Sequence, residues 1–234
     1  MKKLLLLSTV AVAGIAFAGD VETSNSYGVL PIETSQKATM VAVPFVGDGA
    51  NISIDQMVKA ANLSVGDKIF ALPSGNNVYQ VWELTNSGET LSWTPCVGAS
   101  VGEGVQFTAP AAAGTTLPRG QAFWLVRGSA STTTFYVMGV GTTETAADTP
   151  VSQGWNLVGQ SSATGTKKLA DIASAVGDKG SVRLNNGTRY LYSGGNWYQV
   201  SGNTPTPVTA EVALPVGEGF WIVRQASGNA SASL

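Results

Sequence analysis

Two stretches of this sequence are near copies of one another. Leu117-Pro118-Arg119-Gly120-Gln121-Ala122-Phe123-Trp124-Leu125-Val126-Arg127 returns as Leu214-Pro215-Val216-Gly217-Glu218-Gly219-Phe220-Trp221-Ile222-Val223-Arg224, with Leu, Pro, Gly, Phe, Trp, Val and Arg at matching places. Proline cannot donate to a strand ladder and glycine permits a tight turn, so the segment must begin as a turn. The Phe-Trp-Leu/Ile-Val that follows is apolar on both faces, which predicts a central strand covered on each side. Burial at ~25 cal/mol per Å² makes each aromatic ring worth a few kcal/mol. Phe123, Trp124, Phe220 and Trp221 are therefore read as core. Arg127 and Arg224 end the buried run and can each pair with a nearby carboxylate.

Other landmarks recur in the same order. Thr39 to Val46 and Gly154 to Gly159 are apolar opening strands, with Val43 to Gly47 matched to Trp155 to Gly159. Ser53, Asp55 and Gln56 carry helix-start signals ahead of the 3.6-residue spacing of Ile54, Met57, Val58 and Ala61. A second short helix is expected over Lys168 to Ala175, with Leu169, Ile172 and Ala173 as its apolar face. Gly66-Asp67-Lys68 recurs as Gly177-Asp178-Lys179, a turn in which the Asp side chain bonds the backbone. Trp93 matches Trp197. Strands are expected at Ser181 to Leu184, Arg189 to Tyr192 and Trp197 to Val200, with Asn185-Asn186-Gly187 as a hairpin turn. Tyr27 to Ile32, an edge strand because of Pro31, stands before the first copy much as Phe135 to Val140 stands before the second. The C-terminal residues 228–234 are polar and weak as a strand.

The fold expected is mainly β: two tandem antiparallel β modules, sandwich- or barrel-like, each with one short helix. Residues 1–18 read as a signal peptide, 19–141 as the first module, 142–153 as a linker and 154–234 as the second module. Lys2 and Lys3 precede an apolar run, and Ala16-Phe17-Ala18 has the form of a signal-peptidase site. That run is too short for a permanent span, which needs ~20 residues. The expected location is therefore exported: extracellular, at the cell surface or in the periplasm.

Gly154-Trp155-Asn156-Leu157-Val158-Gly159, a short helix, a Tyr/Trp hairpin and Gly217-Glu218-Gly219-Phe220-Trp221-Ile222-Val223 together resemble β-modules of bacterial secreted and surface proteins. With Tyr27-Gly28-Val29-Leu30 and Thr39-Met40-Val41-Ala42-Val43-Pro44, the chain is similar to a paralogous group of small exported proteins of unknown function. The resemblance spans nearly all of residues 19–234 and implies a β-rich exported protein. Its motifs are structural Gly, Pro and aromatic residues, so it carries over no catalytic or binding residue.

Composition narrows the chemistry. The chain has no histidine, which excludes imidazole bases, Ser-His-Asp and Cys-His constellations and the usual zinc and copper ligands. Cys96 is the only cysteine, so no disulfide forms within the chain. Only 12% of residues are charged and the net charge is −2, with no basic patch for nucleic acid or anionic membrane. Gly98 to Gly104 lacks the Lys-Ser/Thr of a phosphate loop, and Asp48, Asn51 and Asp55 lack EF-hand spacing. No cofactor and no metal are implied. The remaining candidates are aromatic residues on alternating strands: Tyr79, Trp82, Tyr190, Tyr192 and Trp197, beside Trp93 and Tyr198. Rings turned outward would stack on sugars, whereas buried ones would complete the cores. The leading expectation is a structural or interaction protein without enzymatic activity, in an envelope, matrix, filament or adhesion role. The alternative is a carbohydrate-binding module. Expected partners are other copies of the chain or surface glycans.

Overall fold

The structure is a computed structural model and describes residues 27–34, 38–45, 51–54, 58, 62–72, 79–88, 90–96, 116–128, 132–140, 148–161 and 166–234. The expected leader, most of the first helix, and residues 97–115 lie outside the described residues. The first nine strands are β1 (Tyr27–Thr34), β2 (Ala38–Ala42), β3 (Asn51–Ser53), β4 (Lys68–Ala71), β5 (Gln80–Ser87), β6 (Thr90–Pro95), β7 (Thr116–Pro118), β8 (Ala122–Val126) and β9 (Thr133–Val140). Then come β10 (Asp148–Val151), β11 (Gly154–Gly159), helix α1 (Leu169–Val176), β12 (Ser181–Leu184), β13 (Arg189–Ser193), β14 (Asn196–Ser201), β15 (Thr204–Val208), β16 (Gly219–Arg224) and β17 (Ala230–Ser233).

The protein is mainly β, built from several antiparallel sheets with one short helix among the described residues. One main sheet has the order β2-β8-β4-β5-β6 and the other β11-β16-β12-β13-β14-β15. Each has a two-stranded companion, β1-β9 for the first and β10-β17 for the second. Among the described residues, ladders join β1–β9 only to one another and β10–β17 only to one another. We refer to the two sets as modules.

The repeated segment sits where its pattern requires. Gly120 and Gly217 take φ of 84° and 78°, a region favoured by glycine, and turn the chain into β8 and β16. Both strands are central in their sheets. Phe123 and Phe220 are fully buried. In the first module Phe123 joins Val41, Ile69, Trp82 and Leu125, closed over by Ile32, Phe135 and Val137 of the companion ribbon. In the second, Phe220 joins Val158, Val182 and Ile222, with Leu169 and Ile172 of α1 and Val151, Ala232 and Leu234 of the β10-β17 side.

Several expectations need correction. Trp124 and Trp221 are half-buried rather than core, because strand alternation turns them away from Phe123 and Phe220. The stretch read as linker, 142–153, contains β10. Pro150 and the short polar flanks conceal that strand, which pairs with the weakly patterned tail as Thr149↔Ala232 and Pro150↔Ser231. Phe135 to Val140 closes the first module against β1, with Ile32 opposite Phe135, and does not open the second. The opening strands align differently as well. Val41 and Val158 stand opposite the matching Phe123 and Phe220, so Ala42 corresponds to Gly159. β15 is an unexpected edge strand carrying Pro205 and Pro207, a composition that argues against ladder pairing.

Helix α1 starts at Lys168, whose backbone N–H donates to the Asp171 carboxylate at 2.8 Å. Its buried side is Leu169, Ile172, Ala175 and Val176, with Ala173 only partly covered. In the first module, Ile54 and Val58 are buried and the Val58 N–H donates to the Ile54 carbonyl at 2.8 Å. Asp67 and Asp178 both act as turn acceptors. Asp67 receives the Ser64 and Gly128 N–H groups at 2.9 Å each and lies 3.8 Å from the Arg127 guanidinium. Asp178 receives the Gly194 N–H at 2.8 Å. Arg224 instead donates to the Ser174 and Ala175 carbonyls at the end of α1.

Candidate functional site: an aromatic cleft on the seam between modules

The two modules meet through equivalent strands. Ala42 N–H donates to the Gly217 carbonyl at 2.9 Å, and Gly159 N–H donates to the Gly120 carbonyl at 3.0 Å. These are the same bond seen from either side, since Ala42 corresponds to Gly159 and Gly217 to Gly120. The isolated bridges Val41↔Glu218 and Gln121↔Val158 repeat the relation. The seam therefore has approximate two-fold symmetry. Its axis passes between Ala42 and Gly159, where a Cβ built on Gly159 would lie 2.3 Å from that of Ala42. A Cβ on Gly219 would lie 2.7 Å from that of Ala122. The turn glycines seat against the other module too. Gly120 faces Thr149, and Gly217 faces Leu30 and Ile32.

Met40, Leu72, Ala122 and Leu157 form the buried centre of the seam, flanked by Tyr79, Trp124 and Trp221. At one end it opens into a cleft of about 450 Å³ lined by Leu72, Tyr79, Gln153, Gly154, Trp155 and Trp221. Alternation along β11 puts Trp155, Leu157 and Gly159 on the seam face and Asn156 and Val158 on the core face. Asn156 fixes the entry to the strand. Its amide donates to the Ser152 and Gly154 carbonyls, and its oxygen accepts from the Ser152 N–H. Trp155 follows Gly154, which has φ of 98°, and remains 53% exposed.

The cleft rings are braced. Trp155 and Trp221 meet edge-on at 5.5 Å between centroids, and the Arg183 guanidinium lies 5.5 Å from the Trp155 ring centre. Tyr79 meets Phe70 edge-on at 6.2 Å. Burial raises the Tyr79 hydroxyl above its ordinary pKa of 10.0, while a hydrogen bond from the Trp124 indole opposes that rise. A neutral phenol at physiological pH follows. The lining thus offers flat apolar rings, a hydroxyl and an amide, groups that bind by stacking and hydrogen bonding.

Of the five aromatic residues singled out from the sequence, only Tyr79 lines this cleft. Trp82, Tyr190 and Trp197 are 3%, 8% and 3% exposed and belong to the module cores, so they present no open ring face. Tyr192 is half-buried, its ring 4.9 Å from that of Trp197. The five do not form a row. Sequence reasoning passed over Trp155, which it placed in a strand, Trp221, which it placed in the core, and Gln153, which it placed in the linker. Period-2 reading of Gly154 to Gly159 carried the missing signal, since it separates Trp155 from the core-facing Asn156 and Val158.

No protein-family model, curated protein or solved structure matches this chain. Among the described residues, no helix is long and apolar enough to cross a membrane.

Proposed function

We propose that this is an exported, non-enzymatic interaction protein of the cell surface or envelope, and that the seam cleft is its contact surface. The observation that carries the reading is Trp155, a large apolar ring left more than half exposed in a braced aromatic cleft. Exposed aromatic surface rimmed by polar groups marks interaction sites. The apolar leader ending in Ala16-Phe17-Ala18 supports export. The absence of histidine from the sequence removes the commonest general base.

Export and retention test it together. Expressed with its leader, the protein should be recovered outside the cytoplasm beginning at Gly19 and should remain with the washed cell envelope. Trp155→Ala should release it into the medium while it stays folded, its thermal midpoint lowered by no more than the few degrees that loss of the Trp221 and Arg183 ring contacts implies. An uncleaved cytoplasmic protein, or a Trp155→Ala variant retained like the wild type, would overturn the proposal.

A further inference from the structure

We infer that the cleft at Trp155 binds a neutral pyranose ring of a polysaccharide. The inference rests on the reading above that the cleft is a contact surface, and it adds the chemical class of the ligand.

The first argument comes from comparing the two ends of the seam. Ladder register pairs Trp155, Leu72 and Tyr79 of the cleft with counterparts at the opposite end. Trp155 corresponds to Ala38, because each lies three residues before the matched Val158 and Val41. Leu72 corresponds to Asn185, one residue past the matched ends of β4 and β12. Tyr79 corresponds to Gly187, because each lies three residues before the matched Trp82 and Tyr190. The opposite end therefore has Ala and Gly where the cleft has Trp and Tyr. There Asn185 also bridges the modules by accepting the Met40 N–H at 3.2 Å. A structural need common to both ends would not place the additional rings at one end only.

The second argument is chemical. The six lining residues carry no carboxylate, ammonium or guanidinium, and the Arg183 guanidinium beside them is held over the Trp155 ring, 5.5 Å from its centre, so the main contact on offer is the ring rather than a free charge. A pyranose presents a flat array of C–H bonds on its ring face and hydroxyls around its rim. The C–H face suits the electron-rich indole face of Trp155. The hydroxyl rim suits groups that both donate and accept. The Gln153 amide is one, its nitrogen donating over a long 3.4 Å to the Gln225 carbonyl. The Tyr79 hydroxyl is another. The volume lies within the roughly 300–1,000 Å³ of small-ligand pockets. Bracing by Arg183 and Trp221 fixes the Trp155 ring in advance, which reduces the ordering cost of binding.

The test is tryptophan fluorescence and calorimetry on residues 19–234, titrated with hexasaccharides of cellulose, xylan, laminarin and chitin and with alginate and polygalacturonate oligomers. At least one neutral oligosaccharide should saturate. Trp155→Ala should weaken that binding by on the order of tenfold or more. Trp155→Phe should retain most of it, and Tyr136→Ala, at an exposed ring on β9, should leave it unchanged. Failure of every neutral oligosaccharide to saturate, equal binding by Trp155→Ala, or stronger binding of the acidic oligomers would overturn the inference. If no oligosaccharide binds while envelope retention still depends on Trp155, the ligand class alone is wrong. If retention is independent of Trp155, the interaction reading fails with it.

Discussion

Placing Ala at residue 159 tests the seam directly. A methyl group there would lie 2.3 Å from Ala42 Cβ and 2.8 Å from Ala42 Cα. Carbon atoms rest about 3.5–4.0 Å apart, so one strand must retreat by more than 1 Å. Neither β2 nor β11 can do this freely, because the bonds from Ala42 to Gly217 and from Gly159 to Gly120 pin them together. Overpacking of this kind costs about 1–3 kcal/mol, or roughly 2–12 °C in thermal midpoint for a chain of this size. Gly159 does not have the positive φ that would strain alanine by itself, so the loss is assigned to the contact. The rescue is Ala42→Gly. Alone it should cost about 0.5–1 kcal/mol as a glycine within a strand. Combined with Gly159→Ala it leaves one methyl at the axis again, so the double variant should be more stable than Gly159→Ala alone. Calorimetry of the four proteins gives a coupling energy, expected at about 1 kcal/mol or more in favour of the pair. Additive losses, or a Gly159→Ala variant melting with the wild type, would refute the seam geometry.

Glu218→Gln installs the residue that Gln121 supplies at the equivalent place. Burial raises the Glu218 carboxyl above its ordinary value of 4.5, so its stabilising contribution is complete below that value and is lost as pH rises through the raised one. The glutamine variant should match the wild type in acid and melt slightly higher at neutral pH, the gap kept small by partial exposure; a gap that closes on raising the pH contradicts the assignment. Trp93 donates its indole N–H to the Val58 carbonyl at 3.0 Å, while the buried Trp197 nitrogen has no partner among the described residues. Trp93→Phe should therefore cost about 1 kcal/mol more than Trp197→Phe in chemical denaturation, and equal losses would count against the difference. Asp67→Ala leaves Arg127 buried beside two vacated backbone donors and should cost about 3–5 kcal/mol. Asp178→Ala removes one exposed acceptor and should cost under about 1.5 kcal/mol, so equal losses would show that the two turns are energetically alike.

What the sequence revealed depended on how strongly each segment declared its own pattern. The Leu-Pro-x-Gly-x-x-Phe-Trp copies carry turn chemistry and a continuous apolar run, and both became central strands entered through left-handed glycines. Asn186-Gly187 likewise formed the expected hairpin turn, and Gly194-Gly195 makes another between β13 and β14. The strands that escaped are those whose pairing overrides their composition. β10 and β15 contain prolines, and β17 is Ala-Ser-Ala-Ser, yet each finds a partner in the assembled module. The cleft was harder to see. Its residues come from the end of β4, the start of β5, the corner between β10 and β11, and β16. Only the meeting of two modules brings them together, and no periodicity within either one encodes that meeting. The aromatics chosen from alternation along β5, β13 and β14 were sound candidates for one face of each strand, but Trp82, Tyr190 and Trp197 took the inner face.

The way the copies differ follows from the seam. Several positions facing each module's own core are kept or changed conservatively: Val41 and Val158, Phe123 and Phe220, Leu125 and Ile222, Ile69 and Val182, Trp93 and Trp197. Several positions at the seam differ in size or charge: Ala42 and Gly159, Ala122 and Gly219, Gln121 and Glu218, Ala38 and Trp155. Each core is closed within its own module, so the same solution serves twice. Residues near a two-fold axis instead touch their own counterparts, where complementarity matters and identity is a liability. Two alanines would collide at the Ala42–Gly159 contact, and two glycines would leave a gap, so one of each fits. Trp124 and Trp221, and Met40 and Leu157, are seam positions that keep their character. The two ends of the seam differ in the same way: Trp155 and Tyr79 stand at one of them, where the other has Ala38 and Gly187.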